Sequence, residues 1–132
     1  MSLKSIIAAV SSLFLVALSS QARAADATAM VYWAEWCSAC KILDPVLEEA
    51  VNTYDNGEID IVRLDYTNMT YESLLVEAQK AEALGVADKV ALNDVKTGYA
   101  VIVVDGEFRG RVGAGMSVAL MHQAFDAALQ LD

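Results

Sequence analysis

The feature that most narrows the folds open to this chain is the placement of its two cysteines. Cys37 and Cys40 are its only thiols. They stand three apart where an apolar, aromatic-rich run, Met30-Val31-Tyr32-Trp33, gives way to Ile42, Leu43, Val46, Leu47, Ala50 and Val51 at helical spacing. A strand feeding directly into a helix puts Cys37 at the helix start, where unpaired backbone N–H groups and the helix dipole favour a thiolate. A thiol activated in that way can attack a disulfide near neutral pH, so the pair reads as a dithiol that cycles. Taken alone, the spacing also fits half a zinc site or a structural disulfide.

Residues 1–24 read as a targeting segment. Lys4 supplies a short positive start, residues 6–18 form an apolar run, and Ala22-Arg23-Ala24 is a small-x-small cleavage pattern. We therefore expect a signal peptide over residues 1–24 and a single domain over residues 25–132. The apolar run is shorter than the roughly 20 residues that span a bilayer, so no stable membrane insertion is expected after cleavage. Removing the segment leaves 108 of the 132 residues, enough for one compact domain. It takes away two cations and no acid, so the formal charge moves from −9 to −11, with 7 cations against 18 acids. Such a balance argues against nucleic acid and anionic membranes as partners. An export signal with a cysteine pair points to an extracytoplasmic compartment, best a periplasm.

The remaining pattern reads as strand, helix, strand, helix, strand, strand, helix. The first strand is expected over residues 28–34 and its helix over 37–54, kinked at Pro45. Asn56-Gly57 ends that unit, and residues 59–64 read as a second, parallel strand. Thr70 is a candidate N-cap for a helix through residue 84, with Gly85 as its stop. Residues 99–104, the turn Asp105-Gly106 and residues 107–112 read as a hairpin. Residues 116–131 read as an amphipathic helix whose inner face is Leu120, Ala124, Ala127, Ala128 and Leu131. The resulting fold class is α/β, a four-stranded mixed sheet flanked by about three helices.

The stretch from Tyr32 to Lys41, with Pro45 five residues after the second cysteine, resembles the thioredoxin-like superfamily and its Trp-Cys-x-x-Cys-Lys motif. The resemblance implies a minimal thioredoxin-like fold and a redox-active Cys37–Cys40 disulfide. Cys37 would be the attacking thiol and Cys40, one turn in and more enclosed, the resolving one. Trp36 would flank the dithiol and shape the docking surface. Tyr32 and Trp33 read as core residues of the first strand, and Lys41 as an exposed helix lysine that adds some positive potential. Residues 86–96 are longer than the connection such proteins have there, and an extra turn or short helix is expected beside the dithiol.

Three departures from the family pattern stand out. Val31 occupies the place of a buried acid that assists proton transfer from the resolving cysteine, and Glu35 points differently along the strand. The proline expected opposite the dithiol is absent, because Pro45 is the chain's only proline. Thr97 and Gly98 take its place, and a trans peptide with altered client docking is expected there. Ser38-Ala39 replaces Gly-Pro between the cysteines, which leaves the reduction potential open across roughly −270 to −120 mV.

The other polar candidates carry bland readings. His122 is a half-buried helix position, Asp65 organises the turn over residues 65–68, and Gly113-Ala114-Gly115 holds the start of the last helix near the dithiol loop. Asn68-Met69-Thr70 is an accidental glycosylation match. The expected function is thus a periplasmic thiol-disulfide oxidoreductase acting as a monomer on cysteine-containing envelope proteins, with reduction favoured over oxidation. No cofactor and no resident metal are expected, and electrons would come from a membrane thiol relay, since no nucleotide-binding glycine motif is present. The alternative is an exported thioredoxin-like module that holds Cu(I) on Cys37 and Cys40, or that acts as a chaperone.

Overall fold

A computed structural model of the chain describes residues 25–91 and 94–130. The expected signal peptide over 1–24 lies outside the described residues, as does Leu131. Strand β1 (Ala27–Trp33) leads into helix α1 (Ser38–Asn52), followed by β2 (Ile59–Asp65) and α2 (Tyr71–Ala83). A single 3-10 turn (Ala87–Lys89) precedes β3 (Tyr99–Val104), β4 (Glu107–Gly113) and α3 (Val118–Leu129). The sheet order is β2-β1-β3-β4, with β1 and β2 parallel and the other two pairs antiparallel. This is the α/β architecture read from the sequence. Among the described residues, no helix is long and apolar enough to cross a membrane.

Alternation along β1 divides the interior into two layers. Ala27, Ala29 and Val31 face one side, where they meet Leu43, Leu47 and Ala50 of α1 and Met121, Phe125 and Ala128 of α3. Met30 and Tyr32 face the other, with Leu64, Tyr66 and Ala81 beneath α2. The small side chains of Ala27, Ala29 and Ala100 let α1 lie close on the middle of the sheet. Helix α1 therefore rests on the central strands, and its first turn meets the loop just after β1.

Local chemistry sets the element boundaries. Thr70 caps α2, its hydroxyl accepting the Ser73 N–H at 3.2 Å, and Gly85 ends it at φ +76. Asp105 and Gly106 both adopt positive φ, the geometry of a two-residue hairpin turn. Pro45 lies inside α1 on its exposed side.

Two expectations are corrected. The inner face of α3 is Met121, Phe125 and Ala128, whereas Leu120 is 48% exposed and Ala127 is exposed. Both stripes have helical spacing, but Met121 and Phe125 carry the volume that fills the gap between α1 and the sheet. The turn in the 86–96 segment lies away from the dithiol: Lys89 Nζ donates to the Gly106 carbonyl at 2.7 Å and stands over the Phe108 ring. Gly106 is in the hairpin turn, at the opposite end of β3 from Gly98, about 20 Å along a six-residue strand.

Candidate active site

Cys37 and Cys40 are joined as a disulfide at the start of α1. Cys37 has extended backbone angles and is the N-cap of the helix, its Sγ accepting the Cys40 N–H at 3.2 Å. The sulfur thus takes the place a serine or aspartate oxygen has at other helix starts, and the amide that meets it is the kind that stabilises a thiolate. Both sulfurs are better covered than the motif suggests, with Cys40 fully buried and Cys37 only 6% exposed. Cys37, read as the less enclosed of the two, is thus shielded as well.

Gly98 contributes to the cover over Cys37, together with the cluster of Trp33, Ala34 and Ala39. Gly98 adopts φ +96, its N–H donates to the Tyr32 carbonyl at 2.9 Å, and a Cβ added to it would stand 2.8 Å from Ala39 Cβ and 3.6 Å from Cys37 Sγ. A backbone without a side chain is what lets this loop lie against the dithiol. Thr97 is half-buried beside it, and no peptide bond among the described residues is cis, as expected for the proline-free loop. The Tyr32 carbonyl oxygen also stands 3.6 Å from Cys40 Sγ, so the same oxygen that holds the loop lies beside the buried sulfur.

Trp36 is 61% exposed beside the dithiol, its indole N–H donating to the Thr67 carbonyl at 3.2 Å. Asp65 organises the turn that carries this carbonyl, accepting the Thr67 N–H at 2.9 Å and the Thr67 hydroxyl at 2.5 Å. The Thr67 hydroxyl oxygen in turn accepts the Glu35 N–H at 2.9 Å. Two loops, one after β1 and one after β2, are thereby fastened together around an outward-facing indole. Lys41 is exposed on α1, and Gly113-Ala114-Gly115 leads into α3, capped by Ser117.

Trp33 packs against the main core, as read from the sequence, and also borders the dithiol. It packs against the small cluster formed by Ala34, Cys37 and Cys40, and its Nε1–H donates to Asp44 Oδ2 at 3.1 Å. Asp44, which the sequence reading passed over, is four residues past Cys40 on α1 and therefore on the same helix face. Its Oδ1 is buried without a hydrogen bond, with Arg63 Nη2 3.7 Å away. Arg63 makes its closer contact, 3.1 Å, with Glu48. The available signal was an acid four residues after the second cysteine.

On the far side of β1, the Tyr66, Tyr32 and Tyr99 rings form a stack, and the Arg111 guanidinium stands 4.0 Å from the Tyr99 ring centre. Burial, and then Tyr99, pushes the Tyr32 hydroxyl up to about 12. Burial pushes Tyr66 up to about 12 as well, with Tyr32, Glu77 and Tyr99 adding to it. Both therefore remain neutral at physiological pH. His122 lies at the other end of α1, and no group of three or more candidate metal ligands occurs among the described residues.

The thioredoxin family model matches residues 10–84, more than half of the chain. The chain belongs to the thioredoxin family. It is similar to the thioredoxin of Staphylococcus haemolyticus, 53% identical over 34 residues, which are 26% of this chain and 32% of that protein. It is also similar to thioredoxin C-2 of Corynebacterium nephridii, 49% identical over 37 residues, or 28% and 33% of the two chains. The matched stretch thus spans about a third of the length of these curated relatives. Thioredoxin 2 of Pseudomonas aeruginosa PAO1, solved in its reduced form, superposes with a TM-score of 0.52 over 86% of this chain and 95% of that one. At 19% identity, that likeness shows the shared fold.

Proposed function

We propose that this thioredoxin-family protein is a periplasmic thiol-disulfide oxidoreductase that reduces disulfides in cysteine-containing envelope proteins. The observation that carries the reading is the Cys37–Cys40 pair at the capped start of α1, where the Cys40 N–H meets Cys37 Sγ. In the reduced protein, Cys37 attacks as a thiolate stabilised by that N–H and by the helix dipole. One sulfur of the client disulfide bonds to Cys37 and the other leaves with the electron pair. Cys40 then attacks Cys37 Sγ, the client's second sulfur leaves, and the internal disulfide remains. Two electrons have passed from the dithiol to the client.

Trp36, Thr97 and Gly98 form the docking surface around the sulfurs. The exposed indole offers apolar contact, and the Gly98 loop that lies against Cys37 presents its backbone to a client at the rim of the sulfurs. The protein works as a monomer, and a membrane thiol relay restores the dithiol. The apolar residues 6–18 and the pattern Ala22-Arg23-Ala24 support export.

Equilibration of the couple in glutathione or dithiothreitol buffers, followed by tryptophan fluorescence, tests the direction. A potential near about −250 mV or below is expected for a reductant, and one of about −120 to −180 mV would make the protein an oxidant or isomerase instead. Failure to cycle reversibly would remove the redox reading and bring Cu(I) binding by the two thiols forward.

A further inference from the structure

For Cys40 to attack the Cys37 mixed disulfide it must give up its proton, yet its surroundings resist this. Cys40 is fully buried, and its Sγ faces the Tyr32 carbonyl oxygen, which can accept an S–H and repels a thiolate. Strand β1 offers no acceptor at Val31, whose apolar side chain is fully buried.

Helix α1 does offer one. Asp44 lies one turn beyond Cys40, an i, i+4 pair whose Cβ atoms stand about 5–6 Å apart. The Trp33 ring joins the two, packing against the cysteine cluster and donating its N–H to Asp44 Oδ2. Asp44 Oδ1 is closed off from water and accepts no hydrogen bond. The charged groups near Asp44 are Arg63 from β2 and, on α1 itself, Lys41 and Glu48, with Glu48 engaged by Arg63. The ionisable groups that α3 presents to α1, His122 and Asp126, meet its far end at Ala50, Thr53 and Tyr54.

We infer that Asp44 holds the proton Cys40 releases, and so determines when the buried thiol becomes a nucleophile. This rests on the redox reading above. The proton passes from Cys40 Sγ to the Asp44 carboxylate. The Cys40 thiolate forms the internal S–S bond as the bond between Cys37 and the client breaks. The proton then leaves Asp44 for the departing client thiolate or for solvent, and the carboxylate is restored.

Reaction of the reduced full-length protein with one equivalent of 5,5′-dithiobis(2-nitrobenzoate) separates the two steps. Attack by Cys37 releases the first thionitrobenzoate, and resolution by Cys40 releases the second. Asp44→Asn keeps an oxygen for the Trp33 N–H, so the packing around the ring is retained. It should slow the second release at least about tenfold near pH 6 to 7, leave the first within about twofold, and converge with wild type at high pH. Asp44→Glu should restore most of the second rate. Second-phase rates that match wild type at every pH would overturn the inference. So would equal slowing of both phases together with a lowered melting temperature, which would mark a purely structural role. A wild-type protein that never releases the second thionitrobenzoate would instead break the redox reading itself.

Discussion

The two ends of helix α1 are held by different physics. At its start, the contacts are made largely by backbone: the Cys40 N–H to Cys37 Sγ, the Gly98 N–H to the Tyr32 carbonyl, and that same carbonyl against Cys40 Sγ. At its end, side chains do the work. His122 Nε2 stands 2.8 Å from the Thr53 hydroxyl and 3.1 Å from the Ala50 carbonyl, while the Tyr54 hydroxyl donates to Asp126 at 2.6 Å. Because the Thr53 hydroxyl already donates to Ala50, the imidazole is the donor in this clasp. Backbone contacts place the sulfurs without consuming their chemistry, whereas the side-chain clasp anchors the helix to α3. On the proposed function, one end serves exchange and the other holds the helix in place.

Perturbing the start should cost activity first. Cys37→Ser should reduce disulfide turnover to background in an insulin-reduction assay while the fold, followed by circular dichroism, persists. Wild-type turnover in that variant would contradict the role given to Cys37. Next comes Gly98→Ala, whose methyl would enter the 2.8 Å gap to Ala39 at a φ that alanine rarely adopts. A loss of about 1–3 kcal/mol in urea unfolding is expected, with slowed exchange. Adding Ala39→Gly should recover part of both, because it removes the atom struck.

Perturbing the end should cost stability alone. His122→Ala should lose about 1–2 kcal/mol, since it removes a donor shared by two acceptors at the α1 terminus. The reduction potential of the couple should stay within experimental error. A shifted potential would mean the two ends are coupled through the helix.

The smallest effect concerns the tyrosine stack under β1. Folded-state values raised above the ordinary one, for Tyr32 and Tyr66, mean that both groups favour folding fully below about pH 10. That contribution is lost as pH rises from about 10 through about 12, because the unfolded chain ionises first. Tyr66→Phe should make the alkaline fall in stability shallower. An unchanged slope would show that Tyr66 does not carry it.

Much of the molecule can be read from local chemistry. The Thr70 cap, the Gly85 stop and the Asp105-Gly106 turn follow from what each residue does to its own backbone, and all three occur where expected. The chain's order of strands and helices follows in the same way. The phase of α3 does not, because Leu120-Met121 and Ala124-Phe125 offer two apolar stripes and only contact with α1 chooses between them. At the site, the cysteine pair, exposed Trp36 and the Gly98 loop were legible from the motif and the missing proline. The shielding of Cys37 and the Trp33 bond to Asp44 were not, since both depend on segments that fold together from distant parts of the chain.

The most direct test of the redox account is to trap its intermediate. Reduced Cys40→Ser protein would be mixed with a disulfide-bonded client such as insulin, quenched with acid, and mapped by mass spectrometry. The account predicts a stable adduct in which one client cysteine is bonded to Cys37, reversed by dithiothreitol. Absence of any adduct, with Cys37 recovered as a thiol that alkylates normally, would contradict it.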